Sequence, residues 1–272
     1  MIKHLVTSGC SFSDNFQGRW PQYLAEHFDA QLYNRGQGSA GNDWIADSAI
    51  YQVAMLLEQG VSPFEMGVAV MWSGIDRRGI HVSKDESPNW DKLTENRENQ
   101  KQGNPVAFID QPANTYFGPN HTVDNGWMIG SALCDFHNDE IKRMKQMYIT
   151  RYKTNESLLI DSLNYWLKLQ WFCDSKGIPL INMTYRNLHH YPHYPSPDYA
   201  PTALYVERYP HLAYLDDMID YDLWLFHGER DGMYEWCRDN EYTFYDDGVH
   251  PSPESHKLYV DQFIIPRLEN LL

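Results

Sequence analysis

The sequence is poor in positive charge: 22 Lys and Arg stand against 37 Asp and Glu, a formal net charge of −15. Nucleic acid rewards clustered Lys and Arg, so an acidic chain without a basic stripe reads as no nucleic-acid partner. The same deficit argues against docking on anionic lipid. Long hydrophobic runs are missing too. No stretch approaches the roughly 20 apolar residues of a membrane helix, which excludes a membrane-spanning reading. The start, Met1-Ile2-Lys3-His4-Leu5-Val6-Thr7, is too short in its apolar part for a signal-peptide core with a cleavage site behind it. The expectation is a cytoplasmic protein that folds where it is made. Cysteine is scarce: Cys10, Cys134, Cys173 and Cys237 show no spacing for zinc or a redox pair, and read as reduced thiols. Repeats and low-complexity tracts are absent.

Aromatic residues are plentiful, at 14% with 9 Trp and 19 Tyr. Such side chains line carbohydrate sites and also fill cores. At 42% hydrophobic and 22% charged, the chain is expected to form one large domain over residues 1–272.

Periodicity alternates between strand and helix. Short apolar strands are predicted at His4–Thr7, Ala30–Tyr33, Gly67–Trp72 and Pro179–Thr184. Helices are predicted at Trp20–Phe28, about Asn42–Leu57 and Glu156–Lys176, the last closed by Gly177. A terminal helix should begin with Ser252 as N-cap and Pro253 in its first turn, with Val260, Phe263, Ile264 and Leu268 on its apolar face. Strands separated by helices imply a parallel sheet covered on both sides, a three-layer α/β/α sandwich. From about 79 to 151 the regularity disappears, and this stretch reads as an insertion or lid.

In such a sheet, ligands sit at the carboxyl ends of the strands. Gly9-Cys10-Ser11-Phe12-Ser13-Asp14 places a serine in a strand-to-helix turn, where nearby backbone N–H groups can face a developing oxyanion. Ser13 and Asp14 are available as helix caps, leaving Ser11 free. Asp247-Gly248-Val249-His250-Pro251 supplies a base: an imidazole takes the serine proton when a carboxylate orients its ring. Pro251 keeps His250 out of helical geometry. Asp246 competes with Asp247 as the orienting acid, but the spacing of three favours Asp247. Cys10 with His250 is an alternative nucleophile pair. His189, His190 and His193 lack a matching carboxylate pattern, so no metal is expected.

Gly9-Cys10-Ser11-Phe12 resembles the first block of the SGNH (GDSL-like) hydrolases. Asn34-Arg35-Gly36-Gln37-Gly38-Ser39-Ala40-Gly41-Asn42 resembles their second block, and Asp247-x-x-His250-Pro251 their last. The resemblance implies a flavodoxin-like fold and ester hydrolysis through an acyl-enzyme, with no cofactor. Ser11, His250 and Asp247 would be the triad. Oxyanion donors would be the N–H groups of Ser11 and of Gly38 or Ser39. The third block is normally Gly-x-Asn-Asp; the corresponding stretch here, Met71-Trp72-Ser73-Gly74-Ile75-Asp76-Arg77, has no Asn. Ser73 hydroxyl or Gly74 N–H would replace the missing Asn; losing one such donor costs roughly 100- to 1000-fold in rate. The Trp72-Ser73-x-x-Asp76-Arg77 form also resembles a divergent branch from phage and marine microbes, which admits a viral setting. Asn42, Trp72 and Arg77 are expected to touch substrate, with Asp76–Arg77 as a competing ion pair. Tyr185 and Arg186 either line the pocket or pack. The implied substrate is a small-molecule or carbohydrate ester, foremost an acetylated sugar. Acyl transfer and a non-catalytic binding module are the alternatives.

Overall fold

The computed structural model describes residues 2–14, 18–38, 40–75, 77–83, 107–109, 125–130, 154–191 and 203–268. Its centre is a four-stranded, all-parallel sheet in the order β2-β1-β3-β7, formed by β1 (His4–Gly9), β2 (Gln31–Asn34), β3 (Met66–Trp72) and β7 (Leu180–Thr184). β3 is buried along its whole length, as expected of an apolar run covered on both faces. α2 (Asn42–Glu58) packs with α3 (Asn155–Lys176) on one side of the sheet. α1 (Trp20–Phe28) packs with α5 (Pro253–Tyr259) on the other, completing the three-layer α/β/α sandwich. α4 (Met233–Asp239) precedes the loop leading to α5.

Local chemistry explains the element ends. α1 starts with Pro21 in its first turn and buries Trp20, Leu24 and Ala25. Thr154 and Ser157 form a reciprocal capping box at the start of α3, and Gly177 ends that helix at φ 64°, where a residue with a Cβ pays a strain penalty. The terminal helix departs from the uninterrupted reading. Ser252 does cap α5, its hydroxyl accepting from Ser255 N, but a wide π turn follows at Val260–Ile264 before helix resumes at Ile265–Leu268. Pro266 is the reason: it has no N–H for the carbonyl four residues back, and its ring crowds that carbonyl. Arg267 Nη1 donates to the Phe263 carbonyl at 3.1 Å, meeting one acceptor of the widened turn.

The 79–151 segment lies mostly outside the described residues. Those that are described belong to β4 (Arg78–Ser83), β5 (Ala107–Ile109) and β6 (Asn125–Gly130), an antiparallel sheet in the order β4-β6-β5, hydrogen-bonded separately from the main one. No described helix is long and apolar enough to cross a membrane.

Among the described residues, most of the tryptophans fill the core. Trp20, Trp44, Trp72, Trp166, Trp224 and Trp236 are buried, whereas Trp171 is exposed. Trp72, Trp166 and Trp224 pack together with centroids 5.1–6.4 Å apart, so tryptophan content gives no support to a sugar site here.

Candidate active site

The register of the sheet brings the motif loops together. Gly9 pairs with Met71, so Ser11 and Ser73 stand at matching positions, each two residues beyond that pair. The second loop is sewn to the first by backbone bonds from Arg35 N to Thr7 O at 2.7 Å and from Gln37 N to Gly9 O at 2.9 Å. Asn34 is the staple. Its Oδ1 accepts from Thr7 Oγ1 and Gly36 N, and its Nδ2 donates to the carbonyls of Ser13 and Asp14. The two loops are so close that a Cβ on Gly36 would stand 1.9 Å from the Ser13 carbonyl oxygen.

Ser13 and Asp14 do not cap α1. The N-cap is Arg19, without a side-chain bond. Ser13 Oγ instead accepts from Trp20 Nε1 at 2.9 Å, and Asp14 pairs with buried Arg19 at 3.3 Å. A cap residue must sit next to its helix, and four residues separate Asp14 from Arg19. Arg19 also reaches the Pro251 carbonyl at 3.4 Å and His256 Nε2 at 3.0 Å, tying the serine loop to the histidine loop. Burial first, then the charges of Arg19 and His250, hold the His256 ring well below its ordinary pKa.

Across this junction Ser11 Oγ lies 2.7 Å from His250 Nε2, and His250 Nδ1 lies 2.6 Å from Asp247 Oδ2. The Asp–His half is built locally. Asp247 Oδ1 accepts from Val249 N at 2.8 Å and His250 N at 2.9 Å, an Asx-type turn. Gly248 turns the corner at φ 65°. Tyr245 N to His250 O and Ser252 N to Thr243 O, at 2.9 and 3.0 Å, close the base of the loop. Desolvation is the largest influence on the Asp247 carboxyl and pushes its pKa up. The two backbone donors and the His250 ring together outweigh it and hold the group at about 2. Asp247 is therefore anionic at any working pH, which fixes Nδ1 of His250 as the protonated nitrogen and leaves Nε2 to accept from Ser11.

The N–H groups of Ser11 and Gly38 have no acceptor among the described residues. Space beside Gly38 is open. Ser39 lies outside the described residues, as do Asp76, His193 and Cys134. Ser73 is buried: its N–H donates to Asn42 Oδ1 at 2.9 Å, and its hydroxyl has no hydrogen-bond partner. Gly74 is also buried, its carbonyl accepting from Arg77 N at 3.0 Å.

Two expected substrate contacts are corrected. Asn42 is buried, spanning Ser73 N and Ser162 Oγ with its amide; it braces α2 against β3 and α3. Trp72 is fully buried and donates to Asn182 Oδ1, because the last residue of a central strand points into the layer of helices. Arg77 is half-buried, its guanidinium 5.0 Å from the Tyr185 ring centroid. Tyr185 packs 5.3 Å from Phe12, which packs 5.3 Å from His250. Cys10 is fully buried, and Ser11 occupies the hydrogen-bonding position on His250. His189 sits in an aromatic cluster with Trp166, Tyr221, Trp224 and Phe226. Among the described residues no group of three or more His, Cys, Asp or Glu is placed to hold a metal.

Asn34, Arg19 and Tyr245 were not singled out from the sequence. Asn34 carried a weak signal, being the first residue of the second motif. Tyr245, 43% exposed, lies in the His250 loop with the Arg19 guanidinium 5.4 Å from its ring centroid. A cavity of about 800 Å³ lies elsewhere, lined by Gln22, Tyr23, Glu26 and Asp29 among others. It shares no residue with the Ser11 site. Neither a scan against models of known protein families nor a search of curated proteins gives a match for this chain.

Proposed function

We propose that this chain is a serine ester hydrolase of SGNH type, acting through Ser11, His250 and Asp247 on an acetylated sugar or similar small ester. The observation that carries the reading is the unbroken relay from Ser11 Oγ to His250 Nε2 at 2.7 Å and from His250 Nδ1 to Asp247 Oδ2 at 2.6 Å, placed at the carboxyl edge of a parallel sheet. Each distance is within reach for direct proton transfer.

His250 takes the Ser11 proton as Oγ attacks the ester carbonyl. Negative charge develops on the carbonyl oxygen, toward which the Ser11 and Gly38 N–H groups supply donors. Ser73 is fully buried and is not placed to donate directly to the oxyanion, so the Ser11 and Gly38 N–H groups are its two proposed donors. The imidazolium, stabilised by Asp247, protonates the departing alcohol. Water then enters, His250 removes its proton, and the acyl group leaves Ser11 as a carboxylic acid. Tyr245 supports a sugar as the alcohol part, since an exposed ring beside the base can stack on the apolar face of a pyranose.

The test is turnover of p-nitrophenyl acetate by the wild type, Ser11→Ala, His250→Ala, Asp247→Asn and Cys10→Ala. Loss of about 10³-fold or more in the first three variants, with Cys10→Ala active, is expected. Activity that survives Ser11→Ala and falls with Cys10→Ala moves the nucleophile to the thiol. A wild type equal to buffer removes the hydrolase reading for this ester class. The buried positions of Ser73 and Gly74 would then favour a binding module.

A further inference from the structure

In a chain of net charge −15, three strands of the main sheet are each followed closely by an arginine at the carboxyl edge: Arg35 after β2, Arg77 after β3 and Arg186 after β7. Two of them connect to His250 through packed side chains. Arg77 lies over the buried Tyr185 ring, and Tyr185 joins Phe12 and His250 in one packed series. Arg186, the next residue, lies 3.8 Å from the centroid of Tyr234. That ring packs 5.3 Å from Phe244, which pairs with Pro251 beside His250. Both side chains are half-buried.

Arg186 is the more informative of the two. Its Nε is buried without a hydrogen-bond partner, and no carboxylate among the described residues lies within ion-pair distance of it. The nearest acids in the chain to Tyr234 are already used: Asp231 accepts from Asn187, and Glu235 from the Gly232 N–H. A guanidinium laid flat on an aromatic ring loses water from one face but keeps its N–H fork in plane, the geometry that grips a planar or tetrahedral oxyanion. A cation half-withdrawn from water at the carboxyl edge of the sheet is a ready partner for an arriving anion.

We infer that the substrate of the Ser11 site carries an anionic group, a carboxylate or sulfate, held by Arg186 with Arg77 beside it: an ester of an acidic sugar. This rests on the proposed hydrolase reading, and binding and turnover separate the two.

The experiment is titration calorimetry of the full chain with three unesterified ligands: galacturonate trimer, a sulfated galactose disaccharide, and neutral xylotriose. At least one acidic ligand should bind about tenfold or more tightly than xylotriose, in line with a charge-assisted bidentate contact. Arg186→Gln should abolish that preference, Arg186→Lys should restore part of it, and Arg77→Gln should weaken it. The carboxylate and sulfate arms identify which anion is read. Equal binding of acidic and neutral ligands, no binding of any, or a preference untouched by Arg186→Gln overturns the inference. Turnover of neutral p-nitrophenyl acetate is measured in parallel. Its absence in the wild type sinks the hydrolase reading and leaves the binding comparison to decide on the anion.

Discussion

Gly36→Ala probes the seam between the two motif loops. The new methyl would stand 1.9 Å from the Ser13 carbonyl oxygen and 2.4 Å from its carbon, both backbone atoms. Ordinary contact begins at 3.4 Å, so the loops must part by about 1.5 Å. Parting them stretches the Asn34 contacts to Ser13 O and Gly36 N, 2.8 and 2.9 Å in the wild type, and the Asp14–Gly36 bridge. Overpacking a tight site costs about 1–3 kcal/mol, and each weakened hydrogen bond about 1 kcal/mol. The sum is about 3–5 kcal/mol, or a fall in melting temperature of roughly 6–20 °C for a chain of this size. Gly38→Ala is the internal control, since nothing lies within 4 Å of its added methyl, and it should melt within about 2 °C of wild type. Both are read by circular dichroism melts, with p-nitrophenyl acetate turnover alongside. A shift of about 1 Å in a catalytic group can cost about 100-fold in rate, so Gly36→Ala should also lose most activity. If Gly36→Ala melts with the wild type, or both variants fall equally, the close approach of the two loops is wrong.

Two further expectations concern buried titratable groups. Folding disfavours the protonated ring of His256, so the unfolded chain binds that proton first. Its contribution to stability is intact above pH 6.5, the ordinary histidine value, and declines as pH falls below it. Urea midpoints from pH 8 to 5 should therefore drop less steeply in His256→Gln than in the wild type, and parallel curves would remove the linkage. The thiols of Cys173 and Cys237 are pushed up to about 12, by burial first in both cases. Iodoacetamide at pH 8 should leave both unlabelled in the native protein and label both in urea. Peptide mass spectrometry showing either one modified natively would contradict the packing.

Much of this architecture was readable because local chemistry and tertiary role agree. The Trp20–Phe28 helix, with Pro21 in its first turn, needs nothing distant to define it. Gly177 ends its helix because only a residue tolerant of positive φ suits that position. Asp247 and His250 are likewise local, a turn that builds its own hydrogen bonds. What the sequence hid depends on distance. Asn42 and Trp72 border the motif loops, and only the packing of α2 and β3 turns them inward. The staple by Asn34 joins residues more than 20 positions apart. Pro266 breaks a terminal helix whose apolar spacing is otherwise regular, so periodicity alone does not reveal the π turn.

The Ser11–His250 contact spans 239 positions, whereas its acid–base partner spans three. Loop-closure entropy makes the first contact depend on nearly all of the sheet being assembled, while the second forms within one turn. During refolding, a probe of the Asp247 turn would report early, local order, and the serine hydroxyl would meet its base only when the two ends of the fold dock. On the proposed hydrolase reading, catalytic competence is then a late checkpoint of assembly: partly folded chains would carry a finished base with no nucleophile to activate.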